Sequence, residues 1–237
     1  MRTQRDGEGP GEGDLPSAKP GRLLDGPAVE ARRRREEFAN ALTHGVGLAA
    51  SLTGATVLIV MASLSGGATR IVGTSVFGAA LILLYATSTC YHMARDPTIK
   101  ARLKVLDHCA IYVLIAGTYT PFTLVSLGGA WGWSLFGVAW GLALAGIAFK
   151  LFHTGRSSRL STAAYVAMGW LVVVAAVPAI RQVPASTLAL LLAGGLAYTA
   201  GTAFYHNRRI PYAHAIWHLF VLAGSACHGV AVGTQIL

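Results

Sequence analysis

Long uninterrupted runs of apolar residues constrain this chain more than any other feature of its sequence. A helix needs roughly 20 apolar residues to cross the hydrocarbon core of a bilayer. Seven runs of about that length occur, near residues 41–63, 70–93, 106–127, 133–152, 162–180, 186–205 and 212–234. The runs are continuous rather than alternating, which favours helices over barrel strands. The sequence therefore predicts an all-α fold, an integral membrane bundle of seven transmembrane helices.

The composition agrees with this fold class and excludes others. Only 12% of the residues are charged, whereas a soluble domain usually carries about 25%. The net charge of +9 does not indicate a nucleic-acid partner, because the basic residues are scattered over loops and no recognition module is present. We therefore expect a multi-pass protein of the cell (plasma) membrane.

The first part of the chain differs from the rest. Residues 1–36 are rich in Gly, Pro and charge, and we predict a disordered, basic cytoplasmic tail there. No apolar segment typical of a secretory signal peptide occurs in it, so the first span is expected to direct insertion. Residues 37–237 are predicted to form the seven-helix transmembrane domain.

The distribution of basic residues predicts the orientation in the membrane. With the N-terminus in the cytoplasm, all of the 19 Lys and Arg residues except Arg70 and Arg181 fall on the cytoplasmic side. Cytoplasmic loops carry such an excess of positive charge. Seven spans then place the N-terminus in the cytoplasm and the C-terminus outside.

Three histidines fall at the predicted cytoplasmic ends of two spans. His92 closes the second span, and His214 and His218 open the seventh. Residues four apart share a helix face, with Cβ atoms about 5–6 Å apart, so His214 and His218 can reach one ion. A third nitrogen from His92 would leave a fourth position for water, as in a catalytic zinc site.

One carboxylate falls at the same depth. Eight of the ten acids precede residue 40, Asp96 lies in a loop, and Asp107 opens the third span. Intramembrane ionisable residues are functional candidates because their burial is costly. Asp107 could hold the water and take its proton, since zinc lowers the pKa of such a water to about 7. Ser88, four residues before His92, could orient a ligand or bind a substrate oxyanion.

Simpler explanations remain open for each of these residues. The histidines could be interfacial side chains bonded to neighbours, and Asp107 could merely complement a helix N-terminus. His153 and His206 are expected to be solvated, and His228 lies roughly 21 Å along the helix from His214. The three cysteines, in or beside spans, are expected to be small buried apolar residues rather than disulfides.

Four segments carry a family resemblance: "EEFANALTHGVG" (36–47), "STCYH" (88–92), "LDHCAIYVLIAGTYTPF" (106–122) and "HAIWH" (214–218). The chain resembles the hemolysin III family, which belongs with the progestin and adipoQ receptors and, more distantly, with the alkaline ceramidases. The resemblance implies an intramembrane zinc near the cytoplasmic face, held by His92, His214 and His218. It implies that Asp107 holds the water of the zinc. Glu37, Asn40 and His44 match the first motif of the family, and their role is open between helix capping, pairing with basic residues and catalysis.

Three functions are compatible with this pattern. The first is a zinc-dependent hydrolase of a lipid amide or ester, with a membrane lipid as substrate. The second is a membrane-homeostasis or receptor-like protein in which zinc is structural. The third is a cytolytic or pore-forming protein, which the scarcity of acids in the spans argues against.

Overall fold

The structure is a computed structural model, and it describes residues 26–152, 158–207 and 209–236. Its helices are α1 (Pro27–Ser65), α2 (Ala68–Met93), α3 (Pro97–Pro121), a π-helix (Phe122–Leu127), α4 (Gly129–Phe152), α5 (Ser158–Gly169), a 3₁₀-helix (Leu171–Ala175), α6 (Ala176–Gln182), α7 (Ala185–Tyr205) and α8 (Ala213–Gly233).

The predicted architecture is confirmed. Within the described part of the chain, seven helical spans are long and apolar enough to cross a membrane, one for each predicted run. Spans one to four each centre on one α-helix, α5 and α6 together make the fifth, and α7 and α8 are the sixth and seventh. We call the end of the bundle at which α2 ends and α8 begins the histidine end.

The first helix begins earlier than predicted. Residues 1–25 of the predicted tail lie outside the described residues, and α1 begins at Pro27, ahead of the predicted boundary at residue 37. Proline suits the first helical position because its missing N–H has no helical partner there anyway. Two ion pairs of the i,i+4 type, Arg34–Glu30 and Arg32–Glu36, add to the stability of this turn.

The third span also begins early and changes character near its end. Asp96 caps α3 by accepting hydrogen bonds from the backbone N–H groups of Thr98 and Ile99, so Asp107 lies well inside the helix and not at its N-terminus. Pro121 does not end the span. It lacks the N–H that would continue the helical ladder, and the chain goes on as a π-helix over Phe122–Leu127.

The fifth span is broken, which the continuous apolar run did not predict. Between α5 and α6 the backbone follows a 3₁₀-helix over Leu171–Ala175. Pro178 explains part of the break, because it cannot donate to the carbonyl four residues earlier and its ring crowds that turn. The Tyr119 hydroxyl of α3 supports the break, since it accepts from the Val172 N–H at 2.9 Å and lies 2.8 Å from the Gly169 carbonyl oxygen.

Small residues bring the first three helices close together around α2. An added Cβ on Gly78 of α2 would lie 2.7 Å from the Ala55 Cβ of α1. One on Gly117 of α3 would lie 2.6 Å from the Ala80 Cβ of α2. Small side chains of this kind allow close helix packing in membranes, where van der Waals contact replaces the hydrophobic effect. The tight packing fixes the rotation of α2, and with it the direction of His92.

Candidate metal centre

Three histidines from two helices converge at the histidine end. His92 comes from the last turn of α2, and His214 and His218 come from the first turns of α8. One ring nitrogen of each lies within 4.8 Å of the others. The ring centroids are 5.0 Å apart for His92 and His214, 5.1 Å for His92 and His218, and 4.6 Å for His214 and His218. We call these three residues the histidine trio.

A carboxylate on α1 determines the tautomer of His92. Nδ1 of His92 lies 2.9 Å from Oε2 of Glu37. Nδ1 therefore carries the proton and donates a hydrogen bond to the carboxylate. In the neutral ring, Nε2 is then left with a lone pair. That Nε2 is buried and has no hydrogen-bond partner among the described residues. Histidine ligands of metals are usually oriented in this way, by a carboxylate on the other ring nitrogen.

The backbone of α1 determines the tautomer of His218 in the same manner. Nδ1 of His218 lies 3.1 Å from the Asn40 carbonyl oxygen and 3.0 Å from Oγ1 of Thr43. A carbonyl oxygen can only accept a hydrogen bond, so Nδ1 donates. Nε2 of His218 is therefore available as a ligand atom. Two of the three rings thus present unprotonated nitrogens, which is the state that metal binding requires.

A fourth histidine lies beside the trio. His44 of α1 is 3% exposed, and its ring stacks on that of His218 with centroids 3.4 Å apart and an interplanar angle of 14°. Its Nδ1 lies 2.7 Å from the hydroxyl oxygen of Ser88. The structure therefore places Ser88 against His44, and not as a direct support of His92.

The predicted acid lies at the same place. Asp107 is buried on α3, and it lines the same cavity as Ser88. Asp107, His214 and His218 line one end of an elongated cavity of about 140 Å³. Burial of a carboxyl group is costly, so Asp107 at this end of the cavity is a candidate functional residue.

The residues present fit a zinc ion. The orphaned Nε2 of His92 is a buried acceptor that a cation would satisfy, and three imidazoles are one of the donor sets that catalytic zinc sites use. The other histidines and the cysteines considered in the sequence lie outside the trio. His206 forms a hydrogen bond with Thr162, and His153 lies outside the described residues. The three cysteines form no disulfide.

Comparison with known proteins places the chain in a family. A family model described as "Haemolysin-III related" matches residues 32–229. The chain belongs to the haemolysin-III related family. It is 46% identical to "Hemolysin-3" of Bacillus cereus over 192 residues, which cover 81% of this chain and 88% of that protein. It is equally similar, at 46%, to the "Hemolysin-3 homolog" of Bacillus subtilis, of which it covers 90%.

The similarity extends to animal proteins. The chain is 27% identical to the human "Monocyte to macrophage differentiation factor" over 209 residues, which cover 83% of each protein. Together with the seven apolar spans, the family establishes an integral, multi-pass membrane protein. In a bacterium such a haemolysin-III relative resides in the plasma membrane.

Two residues that contribute to the centre have no definite role on sequence evidence alone. Glu37 holds His92, and His44 links Ser88 to His218. The signal was present in the sequence, because Glu37, Asn40 and His44 are spaced by three and four residues and so share one face of α1. What the spacing could not show is that this face turns toward α2 and α8.

Proposed function

We propose that this protein is a zinc-dependent hydrolase that acts on the amide or ester bond of a membrane lipid. One observation carries the proposal: three histidine nitrogens within 4.8 Å of one another, with the buried Asp107 beside them, stand at the head of an apolar cavity inside the bundle. A water molecule, the Asp107 carboxyl group and the carbonyl group of a ligand could meet there.

His92, His214 and His218 would hold the ion. A zinc ion bound there would polarise a carbonyl oxygen and activate a water molecule. Asp107 would accept a proton from the attacking water and return it to the leaving nitrogen or oxygen. It would serve as both base and acid, because no Asp or Glu follows it in the sequence. Ser88 and His44 would hold the Asp107 carboxyl group in position.

The cavity supports a lipid as substrate. Its lining is mostly aliphatic and aromatic, and it extends from His214 and His218 past Leu114 and Val166 to Trp170 and His228. Apolar pockets with a few polar groups at one end are typical ligand sites. An acyl chain lying there would leave water without leaving any polar group unpaired, because its methylene groups form no hydrogen bonds. Its carbonyl group would lie at the histidine trio.

Metal content and turnover test the proposal together. We expect about one zinc per chain in wild-type protein and in Asp107→Asn, and none in His214→Ala/His218→Ala. Turnover of a lipid amide or ester should fall by about 10²–10⁴-fold in Asp107→Asn, which removes the proton acceptor. His206→Ala is the matched control, because His206 lies outside the trio. Wild-type protein without zinc would overturn the proposal, as would full activity of Asp107→Asn.

A second function has one observation in its favour. The trio joins α2 to α8, so a bound ion would clamp two helices and could be purely structural. In that case removal of zinc would lower the unfolding temperature, and no lipid would be turned over. The names of the Bacillus relatives suggest a third function, a cytolysin, but only Asp96 and Asp107 follow residue 37 among the acids, which leaves little to line a cation pore.

A further inference from the structure

The end of the cavity opposite the trio carries a second polar group. His228 of α8 lines the cavity there. It follows His214 by fourteen residues in the sequence, which is roughly 21 Å along a helix. This distance excludes His228 from a metal site shared with His214, and the proposed hydrolysis gives it no role. A histidine on a membrane-spanning helix, far from the trio, therefore needs a separate explanation.

The hydrogen bonds of His228 show which kind of partner is missing. Nε2 lies 3.2 Å from the Leu191 carbonyl oxygen of α7, which can only accept, so Nε2 carries the proton. In the neutral ring Nδ1 is then an acceptor. It is buried and has no hydrogen-bond partner among the described residues. A buried acceptor left without a donor costs stability, and the missing partner must be a donor.

The neighbouring polar groups do not supply it. The Tyr85 hydroxyl donates to Oγ of Ser225 at 2.8 Å, and the Tyr198 hydroxyl lies 2.8 Å from the same oxygen. Nε1 of Trp170 donates to Oγ1 of Thr199. None of these groups is a hydrogen-bond partner of Nδ1 in the structure. A water at Nδ1 would need two to four polar partners of its own.

The ring of His228 is held in one position. It packs directly against Gly194 of α7, where an added Cβ would collide with Cδ2 and Nε2 of the ring. On another side it meets the ring of Tyr198, with centroids 5.4 Å apart. The acceptor is therefore fixed in direction before any ligand arrives, which reduces the entropy cost of binding.

We propose that His228 forms a second polar subsite, at which Nδ1 accepts a hydrogen bond from a hydroxyl group on the distal end of an apolar ligand. The inference rests on the proposed function, because it assumes that the polar head of the ligand lies at the histidine trio. It adds a substrate class: lipids whose acyl chain carries a hydroxyl group far from the carbonyl carbon are preferred over unsubstituted chains.

Competition between two fatty acids tests this subsite without any turnover. An equimolar mixture of palmitic acid and ω-hydroxypalmitic acid is added to the purified full-length protein in detergent. Native mass spectrometry then counts both bound forms in one spectrum, since they differ by one oxygen atom. α-Hydroxypalmitic acid replaces the ω-isomer in a second mixture, because its hydroxyl group would lie beside the trio and not at His228.

Two substitutions separate the two nitrogens of His228. His228→Gln can still donate to the Leu191 carbonyl oxygen but has no acceptor at the position of Nδ1. His228→Asn keeps an acceptor oxygen near that position but cannot reach Leu191. Both lose the ring, so both change packing to a similar extent. The ratio of bound acids in His228→Gln also gives the baseline for unequal partition of the two acids into the detergent.

We expect the wild-type protein to favour ω-hydroxypalmitic acid over palmitic acid by roughly fivefold relative to His228→Gln, and His228→Asn to keep most of that preference. Equal ratios in wild type and His228→Gln would overturn the subsite. If His228→Gln does not fold, the wild type alone decides, since equal preference for the α- and ω-isomers is also contrary to the proposal. If neither acid binds, the cavity is not a lipid site and the subsite is overturned with it. If the wild-type protein contains no zinc but still prefers the ω-hydroxy acid, only the proposed hydrolase is overturned.

Discussion

At the scale of single residues, Glu37 connects the first helix to the metal centre. Its Oε2 lies 2.9 Å from Nδ1 of His92 and 2.9 Å from Nζ of Lys100. Lys100 also donates to the Tyr91 carbonyl oxygen and lies over the Tyr91 ring, 4.8 Å from its centroid. The lysine thus holds the carboxylate, and the carboxylate holds the imidazole with Nε2 directed at the site. Such outer contacts tune metal affinity.

Glu37→Gln should therefore weaken zinc binding without removing a ligand. We expect the affinity for zinc to fall by about tenfold or more. The carboxylate orients His92 and raises the basicity of its ring, and the substitution removes both effects. Competition with a chromophoric chelator measures the change. Glu30→Gln is the matched control, since Glu30 pairs with Arg34 and lies on the exposed part of the same helix. Equal zinc affinity in Glu37→Gln and wild type would show that His92 needs no such support.

At the scale of secondary-structure elements, the broken fifth span depends on a side chain from α3. The N–H of Val172 has no helical acceptor and donates to the Tyr119 hydroxyl oxygen. That hydroxyl donates in turn to α5, where the carbonyl oxygens of Met168 and Gly169 lie at 3.2 and 2.8 Å. Lipid tails cannot form hydrogen bonds with backbone N–H and C=O groups. Irregular backbone within a membrane therefore persists only where other parts of the protein supply those hydrogen bonds.

Tyr119→Phe should lower the stability of the bundle. The Val172 N–H would be buried without an acceptor, which costs about 1–3 kcal/mol. The free energy of unfolding in detergent micelles, followed by tryptophan fluorescence during denaturant titration, measures the loss. Tyr212→Phe is the control, because Tyr212 is 40% exposed at the start of α8. If both variants unfold like wild type, the break in the fifth span does not depend on this hydroxyl group.

The elements also show how far the sequence could predict this structure. Apolar runs gave all seven spans, because length and hydropathy alone decide whether a helix can cross a bilayer. The spacing of His214 and His218, with His92 at the end of another span, was enough to predict the trio. The stacking of His44 on His218 was not predictable, because it depends on how α1 is rotated against α8.

At the scale of the whole molecule, the trio lies at the end of the bundle where positive charge accumulates. Arg32 to Arg35 precede the first apolar run, and Lys100, Arg102 and Lys104 lie in the first turns of α3. Positive residues are retained on the cytoplasmic side of membranes. Seven spans then require the two termini to lie on opposite sides. The proposed zinc site would accordingly receive its metal from the cytoplasm, and the His228 subsite would lie toward the outer leaflet.

Reporter fusions in a bacterial host test this orientation. Green fluorescent protein should fluoresce at the N-terminus and stay dark at the C-terminus, because it does not fold after export by the general secretion route. Alkaline phosphatase, which needs the oxidising exterior for its disulfides, should be active only at the C-terminus. A fluorescent C-terminal fusion with inactive phosphatase would contradict the orientation. The charge argument adds a sharper expectation: because the excess of Lys and Arg sets topology, replacing Arg32 to Arg35 by Gln should reduce the uniformity of the orientation, whereas replacing the lone Arg181 by Gln should not.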